Sequence, residues 1–473
     1  MINDETNFFR ELGWNNLESV HNASIAHQFA RYALNISYEI LPANVIHTAK
    51  RILLDTIACV LAATEDPGNS MILKTIEDLG GKEESTIFGT GLKSNVFNTI
   101  LINTSMVRCL DYNDCGGGAH NSEAIPSILA VAERERVTGR AFLTAIVISY
   151  EIGARIIASI KGLNMQQRGW NSDFRAGLSM PACLGKLMSL NETQIANAIA
   201  IAGAHSPILG IVDAHREEMT MAKNLRFAFT AQHAYLSCLL AKRGVTGHIR
   251  VVEGDRGINE SLLNGDLDLE CLVDFSNWRI LNTSFKTICH NFSSHPHILA
   301  TLAIVIEQNL KPEDIASVKI KTTLRESKHV TTFAKKYPRN TESATHSAFF
   351  ANAMVIKERA LGPEQFKPEK FSDPTILKLI EKISVEVDPD LPEYGKTGLS
   401  EIKTINGQVF SKRYEVPHGH IKDPLKDSEI ELKFKKAAEP YMDKDKSELL
   451  IKTIWNIDKL KTMTDFTKRL IWK

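Results

Sequence analysis

From about Ser24 to Gly265 apolar residues recur at three- and four-residue steps, the period of helices that bury one face. In "PANVIHTAKRILLDTIACVLAA" the series is Val45, Ile46, Ala49, Ile52, Leu53 and Ile57, with Pro42 just upstream of the expected helix start. "IPSILAVAERERVTG" puts Ile125, Ile128, Leu129 and Ala132 on one face, its charges opposite, and ends at Gly139. "NETQIANAIAIAGAH" and "FTAQHAYLSCLLAKRGVTG" repeat the design, the second closing at Gly244. Frequent Ala, Ser and Gly predict helices packed closely in several layers.

The period changes after about residue 280. "IASVKIKTTL" alternates Ile315, Val318, Ile320 and Thr322, as a half-buried strand does. "SEIKTINGQVFSKRYEV" sets Asn406-Gly407 between alternating runs, a hairpin signal. Between them "TESATHSAFFANAMVIKERA" predicts a helix. The expected architecture is mainly α with an α+β part. It has an N-terminal extension (1–23), a large all-helical domain (24–281), a smaller inserted α+β lid (282–422) and C-terminal helices (423–473) that rejoin the helical domain.

Composition narrows the partners. The 473 residues carry 56 Lys plus Arg and 56 Asp plus Glu, which argues against nucleic acid or an anionic membrane. A small anionic ligand needs only a local cationic pocket. The N-terminus "MINDETNFFRELGWNN" lacks the basic flank and apolar core of a signal peptide. The richest apolar run, "AFLTAIVISYEIGARIIASI", is interrupted by Thr144, Glu151 and Arg155, so no membrane span is expected. Seven scattered cysteines without a CxxC fit reduced thiols in a cytoplasm or organelle matrix.

Candidate chemistry concentrates in "LDYNDCGGGAHNSEAIP". Asp111 and Asp114 suit acid–base work, the glycines Gly116 to Gly118 permit close approach of backbone to a ligand, and His120, Ser122 and Glu123 precede a helix. The competing reading is a capped loop with a solvated acid. Lys223 and Lys286 each stand in apolar company, where a lysine either snorkels to water or serves as a buried cation. Cys289, His290, His295 and His297 hold the right atom types for zinc, but their spacing fits no standard closed site. No metal is therefore expected. "GGKEESTIFGTG" lacks the Walker spacing, so Gly89 and Gly91 mark turns, and no nucleotide, flavin or iron–sulfur signature is present.

Taken in order, five passages resemble the MmgE/PrpD family: "LPANVIHTAKRILLDTIACVLAA", "LDYNDCGGGAHNSEAIPSILAVAE", "TGRAFLTAIVISYEIGARI", "VVEGDRG" and "VPHGHIKDPLKDSEIELKF". The resemblance implies a helical domain built from both chain ends, an α+β lid, a homodimer, and cofactor-free chemistry on small di- or tricarboxylates between the two parts. It assigns Asp111, His120, Lys223 and Lys286 to catalysis, with Asp114, Cys115, Ser122, Asn171, Ser172, His290 and Phe350 around the substrate. His346 to Phe350 matches a segment that ends in a site tyrosine in relatives. Three departures stand out: Cys115 where decarboxylases place threonine, Asn171 or Ser172 where relatives have histidine, and Phe350 at the tyrosine. The expected activity is a hydro-lyase of the 2-methylcitrate or citrate dehydratase type. A decarboxylase, an epimerase and a silent carboxylate binder are the alternatives. Asp111, approached by apolar chain, is expected to have a raised pKa and His120 a lowered one.

Overall fold

A computed structural model describes residues 23–116, 119–161, 165–213, 217–391 and 396–472. The expected N-terminal extension, apart from Ala23, and Gly117 and Gly118 of the glycine run lie outside them. The chain is mainly α with an α+β part.

Helices Ile25–Asn35, Ala43–Ala62, Pro67–Leu79, Val96–Arg108 and Ile125–Arg134 open the helical part. Helices Gly139–Ala158, Ala176–Leu187, Glu192–Ala204 and Arg226–Lys242 continue it. Most start where a short polar side chain can take up a free backbone N–H. Asn95 caps Val96–Arg108, Thr138 caps Gly139–Ala158, and Asn191 forms a capping box with Gln194. One small feature departs from the helical pattern: β1 (Ser85–Thr86) and β2 (Lys93–Ser94) pair antiparallel across the turn that Gly89 and Gly91 make.

Helix Gly139–Ala158 is long and apolar enough to cross a membrane, yet 78% of that stretch is buried within the protein. Two of its three charged residues, Glu151 and Arg155, are buried with it. Glu151 and Arg155 pair one turn apart, Glu151 accepts from the backbone N–H of Ile280, and Arg155 donates to the Asp274 carbonyl. Both ions are satisfied by protein, as a buried pair must be.

The α+β part carries a four-stranded sheet, β3 (Ile315–Thr322), β4 (Ile383–Val387), β5 (Gly398–Thr404) and β6 (Val409–Tyr414), in the order β4-β3-β5-β6. β5 and β6 form the hairpin around Asn406-Gly407. β3 and β4 run parallel, which requires a long crossover; residues 323–382 supply it and include helix Ala348–Glu358. Helix His295–Glu307 covers β5 and β6 and packs on Ala348–Glu358.

The chain then returns to the helical part. Helix Asp427–Ala438 packs along Ala43–Ala62, and the carbonyl of Ile457 lies where a Cβ at Gly139 would sit, 1.7 Å from its ideal position. Only glycine admits that crossing. A second glycine joins the α+β part to the loop that carries Lys286: Gly419 has φ +99, its carbonyl accepts from Phe285 N–H at 2.9 Å, and a Cβ there would meet the Phe285 oxygen at 2.0 Å. One contiguous apolar core, from Ile25 to Trp472, runs through both parts.

Candidate functional site

Helix Val96–Arg108 ends one residue before the opening of the glycine loop, and this fixes the centre of the site. Asp111 follows in the left-handed region at φ 48, a conformation that aspartate tolerates better than most residues. Its N–H donates to the Arg108 carbonyl, and its side chain turns inward, 1% exposed. Four cationic or imidazole groups surround its carboxylate. Arg108 Nη1 lies 2.5 Å and Lys286 Nζ 3.0 Å from Oδ1; His346 Nε2 lies 3.3 Å from Oδ2; His120 Nε2 stands 3.9 Å from Oδ1.

The expectation of a raised Asp111 pKa is overturned. Burial alone would raise it, but Lys286, Arg108, Lys223 and His346 together hold it well below the usual carboxylate range. An acid that already receives this many donors is an anchor for cations, and a poor acceptor of substrate protons.

His120 moves in the expected direction. Burial, then Arg108 and Lys286, hold its imidazolium form well below its ordinary pKa, so the ring is neutral. Its Nδ1 lies 2.6 Å from the Asp114 carbonyl, which can only accept, so Nδ1 carries the proton and Nε2 is left with its lone pair. The His120 side chain is 16% exposed, whereas Asp111 and Lys286 are at 2% and 0%. It is therefore the member of this cluster that opens to space.

Neither lysine snorkels. Lys223, in the short turn Met221–Asn224, and Lys286 are both at 0% exposure. Lys286 donates to the carbonyl and carboxylate of Asp111. Among the described residues Lys223 Nζ has no hydrogen-bond partner; burial, followed by Arg108, lowers its pKa to about 7 against the opposing pull of Asp111. A cavity of ≈ 210 Å³ flanks that turn at Met221 and Asn224, on the side of Asn69 and Ser105, and contains none of the groups around Asp111.

Several residues expected around the substrate are committed elsewhere. Asp114 is buried and accepts from the Ser122 N–H, the Ser122 hydroxyl and the Tyr150 hydroxyl at 2.7 Å. Asp114 and Ser122 thus tie the glycine loop to the core. Asn171 caps the turn Ser172–Arg175 through the Asp173 N–H and donates to Asp213 at 2.6 Å, while the Ser172 carbonyl accepts from Arg175. Phe350 packs its ring on Phe366 and Phe371, inside the apolar core of the α+β part. His290 is buried with each ring nitrogen near a carbonyl, Ser347 and Asn291, and burial lowers its pKa to about 4. Cys115 is half-buried and bridges backbone to backbone with Ser284, joining the loop to the segment that leads to Lys286. Among the described residues no His, Cys, Asp and Glu group could hold a metal ion.

Three contributors escaped the sequence reading. Arg108 sits one turn before Asp111, and its Nε also lies 3.1 Å from Glu123, whose pKa burial and Asp173 raise to about 7. His346 opens the segment flagged only for Phe350, yet it is the imidazole, four residues earlier, that reaches Asp111. Lys433, on the C-terminal helix Asp427–Ala438, pairs with Asp55 at 2.7 Å and donates to the carbonyls of Tyr112 and Lys286. It locks the Asp111 loop to the Lys286 loop. No motif spacing signals a contact 321 residues apart in sequence.

Comparison with known proteins identifies the family. The family models for the MmgE/PrpD N-terminal domain and C-terminal domain match residues 27–270 and 289–459. The chain is similar to the cis-aconitate decarboxylase of Homo sapiens, 23% identical over 463 residues and 94% of each protein. The Mus musculus enzyme of the same name is 21% identical over 464 residues, 94% of this chain and 93% of the relative. The 2-methylcitrate dehydratase of Cupriavidus necator is 28% identical over 235 residues, 43% of this chain and 47% of the relative. Matched by both halves of the family over most of its length, this chain belongs to the MmgE/PrpD family.

Proposed function

We propose that this protein is a cofactor-independent lyase for a small di- or tricarboxylate, of the 2-methylcitrate or citrate dehydratase type. One observation carries the reading: around Asp111 stand a neutral imidazole with a free Nε2, His120, and a buried ammonium poised near neutrality, Lys223. Dehydration needs a base for a carbon-bound proton and an acid for the departing hydroxide, both matched to working pH.

In this reading His120 Nε2 removes the proton next to a substrate carboxylate, and the electron pair moves toward that carboxylate. Lys286 and Arg108, held by Asp111, stabilise the negative charge that develops there. As the carbon–carbon double bond forms, the carbon–oxygen bond breaks and Lys223 protonates the hydroxide to water. The proton on His120 then returns to Lys223 through solvent. Asp111 orients the cations and stays ionised throughout.

A decarboxylase is the second reading, supported by the relatives of that name that match over 94% of the chain. It needs one proton donor to the carbon that loses carbon dioxide, a task within reach of Lys223. The test is proton and carbon NMR in deuterated water with 2-methylcitrate, citrate and cis-aconitate. Alkene from the first two supports the dehydratase. Loss of carbon dioxide from cis-aconitate alone moves the second reading ahead. Neither turnover nor hydrogen exchange in any of them sinks the lyase and leaves a carboxylate binder.

A further inference from the structure

Cations in the buried cluster around Asp111 have carboxylate partners with two exceptions. Lys286 and Arg108 share Asp111, and Arg226 holds Asp213 at 2.5 Å. Lys223 has no hydrogen-bond partner at Nζ among the described residues. Lys335, from the crossover of the α+β part, is also at 0% exposure, and its Nζ has one hydrogen bond among the described residues, 2.5 Å to the His329 carbonyl. No described carboxylate lies within ion-pair distance of either ammonium. Burying a charge without a counter-ion is costly, so two such groups near one imidazole, His346, call for a ligand that brings the charge.

A chain of direct contacts ties Lys335 to the site. The rings of His329 and His346 meet edge to face at 5.2 Å, and His346 Nε2 lies 3.3 Å from Asp111 Oδ2. Lys223 and Lys335 both depress the charged form of His346, so the imidazole lies within electrostatic reach of both ammonium groups. Burial lowers the pKa of Lys335 to about 8, so it remains largely cationic at neutral pH.

We propose that Lys335 is a substrate-binding cation: one ligand carboxylate meets Lys223, from the helical part, and a second meets Lys335, from the α+β part. The inference rests on the carboxylate-lyase reading and sharpens it, because it requires at least two carboxylates on the substrate. It also gives the α+β part a role in selecting the ligand.

The experiment is calorimetric titration of the full-length protein with pentanedioate and with its monoamide, a probe of nearly equal shape that lacks one charge. The variants are Lys335→Gln, which keeps a donor for the His329 carbonyl while deleting the charge, and Lys335→Met. The wild type should prefer the diacid by at least about tenfold, as expected when a buried charge pair loses one partner. Both variants should lose that preference while binding the monoamide as the wild type does. Their melting temperatures without ligand should be unchanged or higher, because an uncompensated buried charge has been removed; if Lys335→Met alone is destabilised, the His329 bond accounts for it and Lys335→Gln decides. A variant that still prefers the diacid overturns the role of Lys335 and leaves the lyase reading standing. A wild type that binds neither probe, nor any of the carboxylates above, removes the lyase reading itself.

Discussion

Replacing Lys223 with Met should make the ligand-free protein more stable below neutral pH and nearly inactive. The side chain is fully buried, its ammonium has no hydrogen-bond partner among the described residues, and its pKa is lowered to about 7. The unfolded chain titrates near 10.4, and each tenfold in affinity for a proton is about 1.4 kcal/mol, so charging this lysine costs at most about 5 kcal/mol of stability. Relaxation of the surroundings around a buried charge reduces that figure. Exchanges of buried ions for apolar side chains of similar volume gain about 1–4 kcal/mol, and about 2 kcal/mol is expected here. The sign follows from proton binding. Below pH 7 the lysine is charged in both states and the folded state bears the whole cost. Between pH 7 and 10 the folded protein is already neutral there while the unfolded chain still binds the proton, so wild-type stability rises relative to the variant. With an unfolding entropy of roughly 2.1 cal/mol/K per residue, 2 kcal/mol is about 2 °C for a chain of 473 residues. Differential scanning calorimetry of both proteins from pH 6 to pH 10 should show the variant melting higher at pH 6 and the difference closing by pH 10. Turnover should fall at least about a hundredfold at every pH. A Met variant that melts lower throughout would mean that the ammonium has a protein partner, and the poised acid would go with it.

Asp111→Asn leaves Lys286 and Arg108 without their shared anion, so urea denaturation at pH 7 should show a loss of roughly 3–5 kcal/mol. Because the Asp111 pKa is held low, its contribution persists above the usual aspartate range and disappears as pH falls through the lowered value; the asparagine variant should lack that part of the acid transition. His120→Gln should lose at least about a hundredfold in kcat with little change in KM, and equal loss in both would assign His120 to binding alone. Phe350→Tyr puts a hydroxyl beside Phe366 and Phe371, so it should destabilise by about 1–3 kcal/mol in thermal melts and add no activity. A gain in turnover from that tyrosine would show that position 350 reaches the substrate.

The ionisation state of Asp111 could not be read from its apolar neighbours in sequence, although that of His120 was. "Leu110-Asp111" in an apolar approach suggests desolvation, and desolvation is real, but Lys286, 175 residues away, and Arg108 reverse its consequence. The same holds for Asn171 and Phe350. The family resemblance placed each at a site position, and each is held by local partners, Asp173 and Asp213 for the first and two phenylalanines for the second. His346 was named only as the start of the segment that ends at Phe350, and Lys335 not at all, because a lone histidine or lysine in an amphipathic stretch resembles any other surface residue until the chain folds.

What the sequence determined by itself was the kind of element at each stretch and the family. Period 3.6 through Val45–Ile57 and Ile125–Ala132, period 2 at Ile315–Thr322, and the turn at Asn406-Gly407 are local properties, set by which faces must be buried over a few residues. The tertiary structure alone decided which charges meet. Lys433 reaches across 321 residues to the Tyr112 carbonyl, Lys286 reaches Asp111, and Lys223 and Lys335 approach His346 from two parts of the fold. Electrostatic energy depends on distance in space and on the water removed from between the groups, and neither quantity is written in the order of residues along the chain.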